Sequence, residues 1–361
     1  MSSSTAFISP VYSNLPDKGT IRCTSPSNIA LVKYWGKREV QLPENPSISF
    51  TLSNCYTETS LEYTKLSEIQ ETVKFDLLFE GKEKPDFRPK IEAFLQRILP
   101  YVSFVKNYKL KIDTQNTFPH SSGIASSASG MSALAFALVH LEKIINPELS
   151  QELLVQKASF LSRLGSGSAC RSIEGPVTMW GKHNAIAESS DAYAVKVPFE
   201  VHKNFDNYQD VILLIDKGEK QVSSTVGHNL MHGHPFAQKR FEQAHDAVDD
   251  LIQVLKTGDL DRFITLVESE ALTLHAMMMT SLPYFILMKP HTLTVLQKVW
   301  EYRKETGSKV CFTLDAGANV HLLFPENEKD KIYDFIKTSL VAYCDKGQYI
   351  CDKLGLGAKI V

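Results

Sequence analysis

Hydrophobic and polar residues alternate along the first part of the chain with the two-residue period of β-strands. In "SISFTLS" (47–53) hydroxyl and apolar side chains take turns, and Pro43 and Pro46 exclude a helix just before this strand. Further strands are predicted at "TETSLEYTKL", "ETVKFDLLFEG" and "YKLKIDTQN", with a helix over 85–99 between the last two. The stretch that begins at "CTSPSNIALV" is predicted to form a strand, a loop and then the "SISFTLS" strand.

In the middle of the chain, apolar residues recur at intervals of three and four, which is the spacing of one face of an amphipathic helix. The residues at this spacing are Met131, Leu134, Ala135, Leu138, Leu141 and Ile145. This helix is expected to end before Pro147, and a second helix capped by Ser150 is expected to follow. The glycines of "GSGSACRS" (165–172) should end the second helix and lead to a strand.

The second half of the chain combines buried-strand patterns with long helical patterns, in an order typical of an α+β domain. "YQDVILLIDKG" is followed by a polar loop, by helical patterns near 236–256, 259–279 and 290–306, by the strands "KVCFTLD" and "VHLLF", and by a helix near 328–343. We therefore predict an α+β fold with two domains, residues 1–203 and residues 204–361, divided near "PFEVHKNFDN".

Composition limits the partners of this chain. Its 361 residues are 43% hydrophobic and 22% charged, with a formal net charge of -2, so no overall charge attracts nucleic acid or an anionic membrane. The N-terminal residues have no basic and apolar signal segment, and no uninterrupted apolar run approaches the roughly 18 residues of a membrane span. Six cysteines occur without a C-x-x-C pair, so we expect reduced thiols and a cytoplasmic protein.

A glycine- and serine-rich stretch, "PHSSGIASSASG" (119–130), stands directly before the strongest helix pattern. Such a loop presents unpaired backbone N–H groups and the positive end of the helix dipole, which together favour an anion. Serine hydroxyls add donors and can hold a divalent cation beside a phosphate. The stretch is not G-x-x-x-x-G-K-[ST], so it is no P-loop of that kind. A phosphate site and a serine-capped helix start without a ligand both remain open.

Two further stretches carry candidate chemistry. Arg171 lies among small residues in "GSGSACRS", where a guanidinium has room to hold a carboxylate or phosphate at two points; the alternative is a surface salt bridge. Asp315 ends a strand in "TLDAGAN", within a turn of small residues, where a general base could be exposed; the alternative is an Asx-type turn.

In "SNIALVKYWGKRE", Lys33 and Lys37 flank the aromatic pair Tyr34 and Trp35. This arrangement suits a phosphate, and the alternative is an amphipathic edge strand. "HGH" (232–234) has the spacing of metal ligands, but no second cluster accompanies it, so we predict surface histidines. "HAMMMTSLPYF" is predicted to be a helix end that packs into the core.

The order and approximate spacing of "SNIALVKYWGKRE", "SISFTLS", "PHSSGIASSASG", "GSGSACRS", "VSST" and "TLDAGAN" resemble those of the diphosphomevalonate decarboxylases of the GHMP kinase superfamily, over roughly residues 20 to 325. "KYWGK" together with "GSGSACRS" is highly specific within that superfamily. The resemblance implies an N-terminal domain of the ribosomal-protein-S5-like kind, a C-terminal ferredoxin-like α+β domain, an active site in the cleft between them, and a homodimer.

The resemblance also implies a reaction: ATP and Mg²⁺ are used to convert mevalonate 5-diphosphate to isopentenyl diphosphate, carbon dioxide, phosphate and ADP. Asp315 would be the base that acts on the C3 hydroxyl, Arg171 would hold the C1 carboxylate, and Lys33 would complete the catalytic set. The implied substrate-binding residues are Tyr34, Lys37, Ser166, Ser168, Arg171, Ser223 and Ser224. The implied nucleotide-binding residues are Ser121, Ser122, Gly123, Ala125, Ser126 and Ser127. No side chain is assigned as a metal ligand.

One part of the motif set departs from the family pattern. His120, Ser121 and Ser122 stand where the family commonly has Thr-Ala-Ala, so bulkier, hydrogen-bonding side chains face the phosphate loop. Decarboxylation of mevalonate 5-phosphate, and phosphoryl transfer to mevalonate without decarboxylation, therefore stay open as alternatives. A catalytically silent ligand sensor is disfavoured by the presence of Asp315 and Arg171.

Overall fold

Two larger sheets organise the residues that the computed structural model describes, which are 3–119, 124–216, 218 and 224–361. The strands, in chain order, are β1 (Lys18–Val32), β2 (Lys37–Arg38), β3 (Leu42–Pro43), β4 (Ser47–Lys65), β5 (Lys74–Phe79), β6 (Lys82–Glu83), β7 (Tyr108–Asn116), β8 (Val177–Trp180), β9 (Val195–Lys196), β10 (Gln209–Leu213), β11 (Cys311–Thr313), β12 (Val320–Phe324), β13 (Tyr349–Lys353) and β14 (Lys359–Ile360).

The helices, in chain order, are α1 (Arg88–Ile98), α2 (Ser126–Ile145), α3 (Gln151–Gly165), α4 (Ser224–Asn229), α5 (Ala237–Thr257), α6 (Leu260–Met279), α7 (Pro290–Thr306) and α8 (Lys329–Phe335). Short 3₁₀ helices span Ser3–Phe7, Pro85–Phe87, Ser103–Asn107, Gly167–Ser172, Lys203–Phe205, Glu326–Glu328, Val341–Tyr343 and Asp345–Gly347, and a π-turn spans Ile336–Leu340.

The first sheet has the strand order β14-β1-β4-β7-β5-β6, and β8 extends it by pairing with the first part of β4. The predicted strand, loop and strand are confirmed as β1, the loop that carries β2 and β3, and β4. "SISFTLS" and "TETSLEYTKL", which were predicted as separate strands, form the single strand β4. The β1–β4 register shifts between Pro26 and Asn28, which lets a proline stand inside a long strand.

Helices α2 and α3 pack on one face of this sheet. The three-and-four spacing correctly predicted α2, whose side chains Met131, Leu134 and Leu138 lie in the core. By length and hydropathy α2 could cross a membrane, and it is the one described helix that could, but 72% of its apolar window is buried inside the fold. The predicted cap of α3 is confirmed, because the Ser150 hydroxyl accepts a hydrogen bond from Leu153 N at 3.1 Å.

The second sheet has the strand order β11-β12-β10-β13 and packs against α6 and α7. The strand and helix patterns predicted for this half are confirmed as β10, α5, α6, α7, β11 and β12. The polar loop predicted after β10 also contains a helix, α4, which is too short to show a periodic pattern. The glycine-rich stretch after α3 was expected to lack regular structure and instead forms the 3₁₀ helix Gly167–Ser172.

The two sheets are joined by side-chain and main-chain contacts. The Asp352 carboxylate accepts hydrogen bonds from the backbone N–H groups of Ser53, Asn54 and Cys55 at 2.7–2.9 Å. The last strand, β14, pairs with β1, so the C-terminal residues return to the first sheet. The limits of the two predicted domains, 1–203 and 204–361, stay a prediction. All six cysteines are unpaired.

Candidate active site

Lys33 and Asp315 meet where β1 and β11 end. The Lys33 ammonium lies 3.4 Å from Asp315 Oδ1, and the Asp315 side chain keeps 29% of its surface exposed while Lys33 is buried. Burial lowers the pKa of Lys33, whereas the charges of Asp315 and Glu270 act to raise it. The edge-strand alternative for Lys33 is wrong, because the residue follows β1 into the interior rather than facing solvent.

Arg171 lies in the 3₁₀ helix Gly167–Ser172 and is 3% exposed, so the surface salt bridge alternative is wrong. Its Nη1 donates to Ser47 Oγ and its Nε donates to Asn28 Oδ1 at 3.3 Å. Burial lowers the pKa of Arg171, and the charge of Asp315 is among the influences that raise it. The three predicted catalytic side chains therefore share one electrostatic environment, in which two cations surround one carboxylate.

Tyr34 lies against Trp180 and His228, with ring centroids 4.6 Å and 4.2 Å away. Its hydroxyl is buried and has no hydrogen-bond partner among the described residues, and burial raises its pKa. A Cβ at Gly167 would lie 2.9 Å from this hydroxyl, so glycine there leaves space beside it. The hydroxyl is thus a donor that a ligand could satisfy.

Lys37 is half-buried on β2, and both burial and the charge of Arg97 lower its pKa. Arg97 lies near the end of α1, where its Nη1 donates to Leu164 O. Sequence reasoning missed Arg97, because one arginine on the exposed face of an amphipathic helix gives no distinct signal. Together the two side chains form a positive pair near the predicted substrate site.

The predicted serines that the structure describes lie around the first turn of α2 and the end of α3. Ser127 Oγ is 3.4 Å from Ser166 Oγ, and Ser126 is the first residue of α2. Ala125 precedes the helix with a φ of 44°, and the carbonyl of Ser168 accepts from Asn28 Nδ2 at 3.1 Å. Ser121, Ser122, Gly123 and Ser223 lie outside the described residues, and Ser224 begins α4.

A cavity of about 160 Å³ opens beside this first turn of α2. Its walls are the apolar side chains Leu77, Phe79, Phe87, Ile91, Ile112, Met131 and Leu134, the polar residues Thr57, Thr59, Thr114, Asn116, Ser126 and Ser127, together with Lys90 and Gly130. Sequence reasoning could not find it, because β4, β5, β7, α1 and α2 each supply ordinary strand or helix residues to it. An apolar slot with a polar rim suits a flat heterocycle.

Two predictions made for the second half have clear outcomes. The prediction that the histidines of "HGH" lie on the surface is wrong for His234, which is buried and whose Nε2 lies 3.1 Å from Thr280 Oγ1. The helix end "HAMMM" does pack into the core as predicted, where Met277 and Met278 contact Trp35 and its neighbours. In the part of the chain that the structure describes, no group of three or more His, Cys, Asp or Glu side chains could hold a metal ion.

Two family models together match most of the chain. The first, Diphosphomevalonate decarboxylase-like N-terminal domain, matches residues 25–194. The second, Mevalonate 5-diphosphate decarboxylase C-terminal domain, matches residues 210–355. Both match in the order in which the sequence motifs occur.

Individual relatives agree. The chain is 29% identical over 327 residues to the diphosphomevalonate decarboxylase of Candida albicans, which covers 87% of this chain and 86% of that protein. It resembles a solved structure described as MDDEF in complex with MVAPP, AMPPCP and magnesium, with a TM-score of 0.79, 29% identity and coverage of 95% of this chain and 99% of that chain. A structure of the mevalonate diphosphate decarboxylase from Enterococcus faecalis matches with a TM-score of 0.79, 27% identity and the same coverage. The chain therefore belongs to the diphosphomevalonate decarboxylase family and has its α+β, GHMP kinase fold.

Proposed function

We propose that this chain uses ATP and Mg²⁺ to decarboxylate mevalonate 5-diphosphate, with Asp315 as the base. The observation that carries this proposal is the ion pair between Lys33 and the partly exposed Asp315, beside the buried Arg171. The product is isopentenyl diphosphate, a step of the mevalonate pathway. Similarity to proteins described as binding MVAPP, AMPPCP and magnesium supports the same substrates here.

The first chemical step is phosphorylation of a tertiary alcohol. Asp315 removes the proton of the C3 hydroxyl while that oxygen attacks the γ-phosphate of ATP. The Lys33 ammonium keeps the Asp315 carboxylate ionised and oriented, because the two groups form an ion pair in a largely buried setting. Phosphorylation matters because hydroxide is a poor leaving group and phosphate is a good one.

The second step is loss of phosphate and carbon dioxide. Arg171 holds the C1 carboxylate: Ser47 and Asn28 fix two of its nitrogens, and Nη2 has no hydrogen-bond partner in the described part of the chain. A guanidinium held in this way places the carboxylate before the C–C bond breaks. Positive charge from Arg171 and Lys33 stabilises the negative charge of the departing phosphate.

The substrate's diphosphate is bound by the groups that lack protein partners or carry positive charge. The Tyr34 hydroxyl donates a hydrogen bond to it, and Lys37 and Arg97 neutralise its charge. Ser166, Ser168, Ser223 and Ser224 complete this side of the site as the family resemblance implies.

The nucleotide lies at the N-terminus of α2. Ser126 and Ser127 face its phosphates there, with the remaining predicted loop residues before them, and the apolar cavity beside Ser127 takes the base. The hydroxyl of Ser127 is an oxygen donor that suits a hard cation, so it could help to hold Mg²⁺. Mg²⁺ bound to ATP would neutralise charge on the phosphate oxygens.

The test compares three substrates: mevalonate, its 5-phosphate and its 5-diphosphate, each with ATP and Mg²⁺. We expect the highest kcat/KM, with release of carbon dioxide, for the 5-diphosphate. The variant Asp315→Asn should bind ATP normally and release none. Preference for the 5-phosphate, or a stable phosphate ester without carbon dioxide, would replace this proposal with one of the two alternatives.

Assembly and location are proposed from the same resemblance. The chain is a homodimer in the cytoplasm, and strongly exposed apolar side chains such as Leu282 and Tyr284, 83% and 73% exposed, are compatible with a protein partner. Light scattering of the purified protein measures the mass, for which twice the chain mass of 40.5 kDa is expected. Fractionation of the source cells tests the location.

A further inference from the structure

The geometry points to helix α6 as the element that sets the position of Lys33 relative to Asp315, through Glu270 and His275. Neither side chain faces the substrate as a reacting group; each holds the main chain of one catalytic residue. Both are positioning residues, and the inference rests on the proposed roles of Lys33 and Asp315 in catalysis.

Glu270 and Arg240 hold both main-chain groups of Lys33. Glu270 Oε2 accepts a hydrogen bond from Lys33 N at 2.8 Å, and Arg240 Nη2 donates to Lys33 O at 3.2 Å. Arg240 also binds both Glu270 oxygens, at 2.6 Å and 3.1 Å, and the two side chains are 0% and 2% exposed. Asn45 Nδ2 donates to the same Lys33 carbonyl at 2.9 Å. The residue that begins the catalytic loop is thus fixed at its N–H and at its C=O.

His275 holds the main chain of Asp315. Its Nε2 lies 3.1 Å from Asp315 O, and because a carbonyl oxygen can only accept, Nε2 must carry the proton. The ring is 1% exposed, and burial lowers its pKa to about 4, so it is neutral near pH 7 with Nε2–H as the donor. The hydrogen bond fixes the turn after β11, and with it the direction of the carboxylate.

The two contacts come from one rigid element. Glu270 and His275 lie on the same helix, Leu260–Met279, and a separation of five residues corresponds to about 7.5 Å along a helix axis. β1 and β11 belong to different sheets, so their ends have no shared hydrogen-bond ladder to keep them in register. Helix α6, which packs against both, supplies that register instead.

This arrangement is more than core packing. A buried carboxylate–guanidinium pair and a buried imidazole are expensive ways to fill a helix interface, which apolar residues such as Phe263 and Leu274 on the same helix fill without desolvation cost. The polar groups are instead directed at the main-chain atoms of the two residues that form the Lys33–Asp315 ion pair. A shift of about 1 Å in such a pair can cost 10²-fold in rate.

The test uses the full-length protein with His275→Leu, which removes the donor, and His275→Gln, which restores an N–H donor. His234→Leu is the matched control: it removes another buried histidine that bonds at the end of α6, at Thr280, but contacts neither Lys33 nor Asp315. We expect His275→Leu to lower kcat by about 10²-fold with both KM values nearly unchanged. His275→Gln should recover most of that loss, and His234→Leu should keep the wild-type kcat.

Glu270→Gln is the second variant, because it removes the charge that pairs with Arg240 and should also lower kcat without changing KM. Crystal structures of the wild type and His275→Leu give a readout without turnover. We expect the Lys33–Asp315 distance to exceed the about 4 Å limit of an ion pair in the variant. An unchanged distance, or an equal loss of kcat in His234→Leu, would overturn the inference. A wild-type protein that releases no carbon dioxide from any mevalonate ester would overturn the proposed function, while the crystallographic comparison would still decide this inference.

Discussion

His228 accepts a hydrogen bond at Nδ1 from the backbone N–H of Gly36, across 3.0 Å. The imidazole also lies 4.2 Å from the Tyr34 ring and 4.6 Å from the Trp35 ring, measured between ring centroids. Helix α4, from the second half of the chain, is therefore attached to the loop that carries Tyr34 and Lys37. The hydrogen bond requires a neutral ring with Nδ1 unprotonated.

This attachment makes the stability of the protein depend on pH. Burial, with the charges of Lys37 and Arg171, lowers the pKa of His228 to about 3 in the folded protein, against 6.5 ordinarily. A histidine with a lowered folded pKa stabilises the fold above pH 6.5 and loses that contribution as the pH falls toward 3. By pH 5 the loss amounts to ~2 kcal/mol of the free energy of unfolding.

The variant His228→Gln keeps an acceptor for Gly36 N–H and cannot titrate. We expect its free energy of unfolding, measured by urea denaturation between pH 7 and pH 5, to fall less steeply than that of the wild type, by ~2 kcal/mol over this range. His275 is titratable in both proteins and cancels in the comparison. Parallel pH dependence in the two proteins would show that His228 is not neutral in the fold.

Tyr34 gives a prediction in which stability and binding change in opposite directions. Its buried hydroxyl has no partner among the described residues, and such a group costs ~1–3 kcal/mol. Tyr34→Phe should therefore be at least as stable as the wild type. If the diphosphate satisfies the hydroxyl, KM for mevalonate 5-diphosphate should rise at least about tenfold, because hydrogen bonds to charged groups contribute ~1.5–3 kcal/mol.

Tyr208→Phe is the matched control for this prediction. The Tyr208 hydroxyl is also buried without a partner in the described part of the chain, but its ring packs with Phe50 and Phe263 in the core. The control should gain similar stability, measured as Tm, with no change in KM. A Tyr34→Phe enzyme with wild-type KM would remove Tyr34 from the substrate site.

Local periodicity predicted most of the elements, and the misses have a common physical cause. "SISFTLS" and "TETSLEYTKL" were separated because Ser53 and Asn54 suggest a break, yet the strand continues. The unpaired N–H groups of this segment are satisfied by Asp352, almost 300 residues away, so the compensating partner lies outside any sequence window. Helix α4 was missed because six residues give no period to detect.

The candidate site divides in the same way. Lys33, Arg171 and Asp315 were predicted from motifs, since their types and neighbours suggest chemistry, and the structure brings all three together. Glu270, His275 and His228 were not predicted, because each acts on main-chain atoms of a distant segment. A helix pattern shows that Glu270 and His275 lie on α6 but not that they bond to Lys33 and Asp315.

Gly130 tests the assignment of the apolar cavity to the nucleotide base. It lies on α2 at the cavity wall, and a Cβ at this position would meet no atom within 4 Å. Gly130→Ala should therefore be tolerated and should stabilise the helix by up to ~1 kcal/mol. Gly130→Leu extends an apolar side chain into the cavity and should exclude the base. We expect KM for ATP to rise about tenfold, equivalent to ~1.4 kcal/mol of binding free energy.

Steady-state kinetics with each substrate varied in turn separates the possible results. In Gly130→Leu, KM for mevalonate 5-diphosphate should stay at the wild-type value, because the Tyr34 and Lys37 groups are not altered. The Gly130→Ala enzyme should match the wild type for both substrates, which excludes an effect of the helix backbone. If Gly130→Leu instead binds ATP normally, the base must bind elsewhere, and the phosphates alone would contact the first turn of α2.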